Sequence, residues 1–462
     1  MPPRGKLAAV RRHLDTHLFP DSPPRNSAVR GWEAAGLALA LLAIAVVAEL
    51  ARIGWSASLD SLWAEDGQIF LQNAMTRSFF DAVTAEYAGY LVLVPRLIGE
   101  AASALPLRDA PEVFSILAAA VAALTGFVVW HATAGHISSP ILRGTLVLLT
   151  VLTPVGGLET IDSAAYVAWY MLFACFWILL WRPRTTVGAV LAGIFVALTA
   201  LSSPGVWFFI PVALLRLVAI RDRRDIAILA GYFGGGLLQI VAVASSTYEG
   251  PETYWTTDVW TVLLQRVVDG AAFGLRLGGG AWVVLGWPFL ILLTVAMAIG
   301  VGVGLRRSDL SVRYLAALAL PIALVMFIVS IYQRAVATPM LWPENAWNGA
   351  AGRYSLVPVM LLVSVIVAIV DRSWKGRDWS DRASWPGVAV VAVLLVSMLV
   401  SLPERDIALR GAPPWEAAVN QAERTCRGGT AADAVLPTSP PGFGLALPCS
   451  AIADSSDASA QR

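Results

Sequence analysis

The chain has 462 residues, of which 57% are hydrophobic and only 14% are charged, and its formal net charge is +1. Soluble globular proteins carry about 25% charged residues. This composition therefore excludes an ordinary soluble domain and indicates a membrane protein with many spans. The near-zero net charge and the lack of a long basic block argue against binding to nucleic acid.

The chain begins with a polar, basic segment, residues 1–31, which is predicted to lie in the cytoplasm. Apolar runs then recur, and most approach the roughly 20 residues that a helix needs to cross a bilayer. These runs are residues 32–53, 111–134, 141–156, 164–181, 187–203, 205–220, 226–246, 281–304, 314–333, 355–370 and 386–402. The predicted fold class is therefore all-α, a polytopic transmembrane helical bundle with about 11 spans.

Segment 88–107 is apolar but contains Arg96 and Glu100, which share one face of a helix because they are four residues apart. Such an amphipathic helix is predicted to lie in the membrane interface rather than to cross it. With this choice, the positive-inside rule places every short arginine-rich connection on the side of the N-terminus. Counting 88–107 as a span would turn the later arginine-rich connections outward, which the rule disfavours.

The predicted topology leaves outer loops at 54–110, 247–280 and 334–354, with residues 32–402 as the transmembrane domain. Residues 403–462 form a short extracytoplasmic tail, and its last dozen residues are predicted to be disordered. Outside the cytoplasm, the two cysteines of this tail, Cys426 and Cys449, could form a disulfide, and two free thiols are the alternative.

The charge of the first outer loop is unusual, since seven acidic residues face only three arginines in 54–110. The centres of the predicted spans, in contrast, carry almost no ionisable side chains. Ion-coupled transporters need such groups or broken helices near the midplane. The distribution instead suits an enzyme whose substrate has a lipid tail in the bilayer and a polar head at the surface.

Glu65 and Asp66 are the candidate catalytic residues, within the sequence LWAEDG. Sugar transfer from a lipid-linked phosphate needs a base for the acceptor hydroxyl and cations for the departing phosphate. Neighbours on a regular helix cannot both point at one atom, so Asp66 is favoured as the base, with Glu65 supporting it or binding a metal. In the structural alternative, Asp66 and Gly67 form a turn or N-cap for an interfacial helix that begins near Gln68. Asp60 is predicted to cap the helix that contains Trp63.

The candidate donor-phosphate ligands are Arg353, Tyr354 and Arg334, which stand at the two ends of loop 334–354. A guanidinium group binds phosphate oxygens as a planar fork. The alternative is that these side chains only anchor the spans at the interface. Further candidates for a substrate groove are Tyr90, Arg96, Glu159 and Asp162, for which packing or anchoring is the alternative.

This arrangement resembles the GT-C superfamily of polytopic glycosyltransferases, which use polyprenyl-phosphate-linked sugars. The resemblance covers roughly residues 32–370 and is carried by the acidic pair in LWAEDG and by the Arg-Tyr pair in GRYSLVP, residues 352–358. It implies inverting sugar transfer on the outer face of the plasma membrane. Asp66 or Glu65 would then be the base or a metal ligand, and Arg353 would contact the donor phosphate.

The resemblance also implies the partners: a polyprenyl-phosphate sugar donor, membrane lipid, and a glycan, lipid or protein acceptor of the cell envelope. A divalent metal, Mg²⁺ or Mn²⁺, is the one cofactor it allows. The chain lacks a WWDYG-type acceptor motif and a large C-terminal globular domain, which leaves the sugar and the acceptor open. A transporter or flippase for a lipid-linked glycan is the alternative function.

Overall fold

The computed structural model describes residues 4–22, 31–250, 252–253, 256–334, 351–375, 382–402, 413–429 and 431–460. The described chain is overwhelmingly helical. Its α-helices are, in order, α1 Arg4–His17, α2 Gly31–Ile53, α3 Trp55–Leu59, α4 Gln72–Thr76, α5 Phe79–Thr84, α6 Leu93–Ser103, α7 Ala110–Ala132, α8 Pro140–Val151, α9 Gly157–Thr160, α10 Val167–Leu180, α11 Thr186–Ala200, α12 Ile210–Val218, α13 Arg223–Ser245, α14 Asp258–Leu263, α15 Gly270–Ala272, α16 Gly274–Arg307, α17 Leu310–Arg334, α18 Arg353–Trp374, α19 Trp385–Val400, α20 Trp415–Arg427 and α21 Cys449–Ala460.

Shorter elements connect these helices. Two segments are π-helical, Asp66–Leu71 and Leu264–Asp269, and 3₁₀ turns lie at Leu107–Asp109, Thr133–Gly135, Ala164–Tyr166, Pro204–Phe209 and Arg382–Ser384. The strands form two antiparallel hairpins, β1 Glu86–Tyr87 with β2 Tyr90–Leu91, and β3 Asp433–Pro437 with β4 Gly444–Pro448.

Six described helical stretches are long and apolar enough to cross a membrane, namely Trp32–Ile53, Leu107–Gly135, Arg223–Ser245, Gly274–Arg307, Leu310–Gln333 and Arg353–Trp374. Five shorter apolar helices are Pro140–Val151, Ala164–Leu180, Thr186–Ala200, Pro204–Val218 and Trp385–Val400. The prediction of a multi-pass, all-α membrane protein is therefore confirmed. Each predicted span coincides with one of these helices.

The core is centred on α10 and on α18. Nearly every residue of α10 is buried, and the apolar part of α18 is 83% buried, against 6% for α16. A helix that is apolar on all sides can be buried on all sides, and α10 carries no charged residue. Its first turn and that of α18 meet at one end of the bundle, where Tyr354 packs edge-on against Trp169.

Ion pairs join the N-terminal helix α1 to the opposite end of the bundle. Asp15 of α1 pairs with Arg182 and Arg221. The buried Asp225 pairs in turn with Arg182 at 3.2 Å and with Arg216 at 2.8 Å. The basic connections after α10 and α12 therefore lie against the same N-terminal segment.

Two predicted segments differ from the structure. The second half of loop 247–280 is not a loop, because Leu264–Asp269 is a π-helix with fully buried Arg266 and Asp269, and α16 already begins at Gly274. The tail residues 451–460 lie in helix α21 rather than in a disordered end. Tertiary contacts explain the helix, since Ile452 is buried and the Ser455 hydroxyl accepts a hydrogen bond from the backbone of Leu107.

Candidate active site

Asp66 is a buried anchor. Its helix begins at Ala64, four residues before the predicted start near Gln68, and continues into the π-helical segment. The two carboxylate oxygens of Asp66 accept hydrogen bonds from the backbone N–H groups of Ala164, at 3.1 Å, and Ala165, at 2.9 Å. Burial raises the pKa of Asp66 to about 8, while these hydrogen bonds oppose the shift. Asp66 therefore holds the 3₁₀ turn before α10. The structural alternative had placed it in a turn or N-cap of its own interfacial helix instead.

Glu65 points elsewhere and is only partly buried. Its Oε1 accepts hydrogen bonds from the hydroxyls of Tyr166, at 3.0 Å, and Tyr87, at 3.3 Å. The indole N–H of Trp63 points at the Tyr166 oxygen from 3.4 Å, so that hydroxyl can accept from the indole while it donates to the carboxylate. Burial and the negative charge of Glu65 raise the pKa of Tyr87, which keeps its hydroxyl protonated as a donor.

Arg353 lies on the same tyrosine. Its guanidinium carbon is 4.9 Å from the ring centroid of Tyr166 and 4.6 Å from that of Tyr354. Its Nη2 also donates to the Tyr354 hydroxyl at 3.1 Å. Cation–π contacts of this kind fix a guanidinium group without neutralising its charge. The structure thus brings together Glu65, Arg353 and Tyr354, three residues that the sequence singled out separately.

The organising residue, Tyr166, was missed by the sequence analysis, as was Trp169, whereas Tyr87 was expected beside Tyr90 in the donor groove. The available signal was the run SAAYVAWY, in which aromatic residues recur at helical spacing just after the acidic Glu159 and Asp162. Aromatic residues at the end of a span are usually interfacial anchors, so composition alone does not separate an anchor from a site.

The remaining sequence candidates have different positions. Tyr90 pairs with Tyr87 across the β1–β2 hairpin and so belongs to the surroundings of Glu65. Asp162 faces away from this cluster: its Oδ2 accepts from the Ser58 hydroxyl at 2.6 Å, and burial raises its pKa to about 7. Glu159 lies in α9 and Arg334 ends α17, but their side chains, like residues 335–350, are outside the described part of the chain.

Arg96 lies on α6, a helix of 11 residues, or roughly 16 Å, which is too short to cross a bilayer core of about 30 Å. Its side chain is buried, with Nη2 donating to the backbone carbonyl of Glu86 at 3.1 Å. The guanidinium carbon is 5.7 Å from the ring centroid of Phe70, on the helix that carries Glu65. Arg96 is therefore a neighbour of the Glu65 cluster without touching Glu65 itself.

Two glycines explain how the Glu65 helix is held so closely. A Cβ on Gly99 of α6 would lie 2.9 Å from the carbonyl oxygen of Phe70, and a Cβ on Gly67 would lie 2.6 Å from the Thr438 methyl carbon. Real Cβ atoms rarely approach other atoms so closely, so any larger residue would push the neighbours apart. The Glu65 helix is thus clamped between α6 and the β3–β4 hairpin.

Residues 413–460 form a folded unit, here called the C-terminal module, that covers the Glu65 helix. Ser439 donates from its backbone N–H to the carbonyl of Leu62 at 2.9 Å, and Ala446 donates to the Gln72 side chain at 3.4 Å. A disulfide between Cys426 and Cys449 joins α20 to α21, which excludes the alternative of free thiols.

Asp60 connects this module to the first loop, and its predicted role is wrong. Its backbone carbonyl and its Oδ1 both accept from the backbone N–H of Trp415, at 3.0 and 2.9 Å. It therefore caps the start of α20 rather than the helix after Trp63. The Trp415 indole completes the joint by donating to the Leu107 carbonyl at 2.8 Å. A carboxylate can cap the start of any helix that packs against it, whether or not that helix is close in sequence. Here the start of α20 packs against Asp60.

The described residues do not form a binding site for a divalent metal by themselves. No group of three or more His, Cys, Asp or Glu side chains is close enough to hold an ion in the described ranges. Both oxygens of Asp66 are committed to backbone N–H groups, which leaves Glu65 as the accessible carboxylate. The described carboxylates therefore do not fit Mg²⁺ or Mn²⁺.

No protein-family model matches this chain, and no curated protein matches it either.

Proposed function

We propose that this protein is a GT-C-like glycosyltransferase of the plasma membrane that moves a sugar from a polyprenyl-phosphate-linked donor to a cell-envelope glycan, lipid or protein. The observation that carries the proposal is the joint contact of Glu65 and Arg353 with Tyr166. A carboxylate and a guanidinium therefore contact different parts of one tyrosine side chain. These are the two charges that transfer from a lipid-linked phosphate requires.

The proposal includes a topology of eleven spans with the N-terminus in the cytoplasm. The six long and five shorter apolar helices supply the crossings. Ion pairs of Asp15 with Arg182 and Arg221 favour one common side for the N-terminus and the arginine-rich connections. The disulfide of the C-terminal module suits the opposite, extracytoplasmic side, where the module contacts the Glu65 helix.

Arg353 would bind the donor. Its guanidinium lies against the rings of Tyr166 and Tyr354, and a guanidinium group binds phosphate oxygens as a planar fork. It begins α18, a helix long enough to cross the bilayer, so a phosphate held there would sit where its lipid tail can enter the membrane. The Tyr354 hydroxyl is a second group within reach of that phosphate.

Glu65 would activate the acceptor. Its carboxylate takes the proton of an acceptor hydroxyl while the oxygen attacks the anomeric carbon of the donor from the face opposite the phosphate. The bond between the anomeric carbon and the phosphate oxygen breaks, and its electron pair leaves with the polyprenyl phosphate. Arg353 stabilises the growing charge on that leaving group, and the configuration at the anomeric carbon inverts.

The base is therefore assigned to Glu65 rather than to Asp66, which the sequence favoured. Asp66 is 1% exposed and both of its oxygens accept backbone hydrogen bonds. Glu65 is partly exposed and is oriented by two tyrosine hydroxyls. A general base must reach the proton that it abstracts, and of the two only Glu65 is partly exposed.

The test is transfer by the full-length protein reconstituted with polyprenyl-phosphate sugars. Glu65→Gln is expected to lower the transfer rate by roughly 10²-fold or more, the range of a lost general base. Glu86→Gln, in the same loop and at an exposed position, is the matched control and should leave the rate unchanged. Equal rates for wild type and Glu65→Gln would refute the assignment. Movement of labelled lipid-linked sugar across the bilayer without donor consumption would favour the flippase.

A further inference from the structure

Arg96 is a buried cation with unused hydrogen-bond donors. Arg96 is only 2% exposed. Neither its Nε nor its Nη1 has a hydrogen-bond partner. Only Nη2 donates, to the carbonyl of Glu86. Buried polar groups in folded proteins are nearly always hydrogen-bonded, and an exception calls for an absent partner such as an ion or a ligand.

No carboxylate of the described residues compensates this charge. Glu100, one helical turn later, forms no ion pair with Arg96. Burial and the positive charge of Arg77 lower the pKa of Arg96 to about 10, which still leaves it protonated at neutral pH. A buried charge without a counter-charge is strongly destabilising, so Arg96 is suited to an anion.

The position of Arg96 relates it to the candidate active site. Its guanidinium carbon lies 5.7 Å from the ring centroid of Phe70. The Phe70 ring packs against the ring of Tyr87, with 6.1 Å between their centroids. The Tyr87 hydroxyl in turn donates a hydrogen bond to Glu65. Glu65 is thus connected to Arg353 through Tyr166 and to Arg96 through Phe70 and Tyr87. Arg96 and Arg353 are thus held by different elements, and each is connected to Glu65 through aromatic side chains.

We propose that Arg96 is a second phosphate-binding position near the Glu65 cluster, separate from the position at Arg353. Guanidinium donors match phosphate oxygens in geometry and charge, and the free Nε and Nη1 supply such donors. The single hydrogen bond to the Glu86 carbonyl gives way when the anion enters. Resting on the proposed function, the phosphate belongs either to a diphosphate-linked donor or to a phosphorylated acceptor.

The first experiment measures binding to the purified full-length protein and needs no turnover. Inorganic phosphate, polyprenyl monophosphate and polyprenyl diphosphate are titrated into wild type and Arg96→Gln by calorimetry. We expect Arg96→Gln to weaken inorganic phosphate binding roughly 10- to 100-fold, as for the loss of a hydrogen bond to a charged group. Arg108→Gln is the matched control, because Arg108 is already paired with Glu423, and it should not change phosphate binding.

The two lipids separate the sources of the phosphate. If diphosphate binds more tightly than monophosphate in wild type and this advantage disappears in Arg96→Gln, the second phosphate is the donor's. If inorganic phosphate still binds an Arg96-dependent position when polyprenyl monophosphate is saturating, the phosphate is the acceptor's. Equal phosphate binding by wild type and Arg96→Gln, or equal losses in Arg96→Gln and Arg108→Gln, would overturn the proposal.

Two further variants keep the result decisive. Arg96→Lys keeps the positive charge but lacks the guanidinium fork, so it should still weaken phosphate binding if Arg96→Gln fails to fold; binding by Arg96→Lys as tight as in wild type would count against the site. The same titrations in a Glu65→Gln background should give the same Arg96 dependence. Because this background lacks the proposed base, failure of the proposed transfer activity and failure of the phosphate position give different results.

Discussion

Glu65 and Arg353 contact the same side chain: the carboxylate accepts from the Tyr166 hydroxyl at 3.0 Å, and the guanidinium carbon lies 4.9 Å from the centroid of its ring. Tyr166 therefore orients a base candidate with its polar end and a phosphate-binding candidate with its apolar face. The two contacts can be removed one at a time.

Tyr166→Phe removes the hydroxyl and keeps the ring. We expect the transfer rate to fall about tenfold, equivalent to about 1.4 kcal/mol of transition-state stabilisation, because Glu65 loses one of its two orienting donors. Tyr166→Leu also removes the cation–π contact, worth about 0.5–2 kcal/mol, and should raise the KM for the donor as well. Steady-state kinetics measures both. Tyr170→Phe is the control, since this hydroxyl contacts Thr160 and not Glu65; a rate loss there as large as in Tyr166→Phe would contradict the assignment.

Asp66→Asn should affect stability more than the chemical step. An amide presents only one acceptor oxygen to the two backbone N–H groups, so we expect a loss of about 1–3 kcal/mol near pH 4, the cost of one unpaired buried group. Thermal unfolding in detergent measures this. If Asp66→Asn folds normally and abolishes transfer while Glu65→Gln does not, the roles of the two residues are reversed.

The same variant should reveal a pH dependence. Because burial raises the pKa of folded Asp66 from 3.8 to about 8, the folded state holds a proton that the unfolded state has lost between these values. Stability therefore falls as the pH rises through this window, by up to about 1.4 kcal/mol per unit. Asp66→Asn does not titrate, so its stability relative to wild type should improve from pH 4 to pH 8. A pH-independent difference between the two proteins would show that the Asp66 carboxylate is ionised throughout.

Gly67→Ala should disturb the Glu65 helix, and Thr438→Ser should rescue it. The added Cβ would lie 2.6 Å from the Thr438 methyl carbon, and overpacking of this kind costs about 1–3 kcal/mol. Thr438→Ser removes that methyl group, so the double variant should recover both melting temperature and transfer rate. Additive losses in the double variant, rather than recovery, would mean that this contact does not set the helix position.

The disulfide should stabilise the C-terminal module. Its two cysteines are 23 residues apart, and closing a loop of this length is worth about 3 kcal/mol in the chain-entropy description. The Cys426→Ser and Cys449→Ser double variant is expected to be cut faster by protease within residues 413–460. Reductant should produce the same effect in wild type and in Cys175→Ala, a variant of the free buried thiol, but no further effect in the double variant.

Much of the membrane architecture could be predicted because it depends on local composition. A helix must be apolar over most of its length to enter the bilayer, so the predicted spans match the observed apolar helices. Failures occurred where the chain is neither plainly apolar nor plainly polar. Asp269 was predicted to lie in the outer loop 247–280, between two apolar runs, but it is buried in a π-helix.

By itself, the sequence determined that the chain is a multi-pass helical membrane protein and that it carries an acidic pair in LWAEDG and an Arg-Tyr pair at the start of α18. It could not decide which carboxylate is exposed, because Glu65 and Asp66 are chemically alike and adjacent. The tertiary structure decided this through distant partners: backbone N–H groups of Ala164 and Ala165 take Asp66, and tyrosine hydroxyls take Glu65. Such pairing depends on how α10, α18 and the C-terminal module pack together, and no local pattern encodes it.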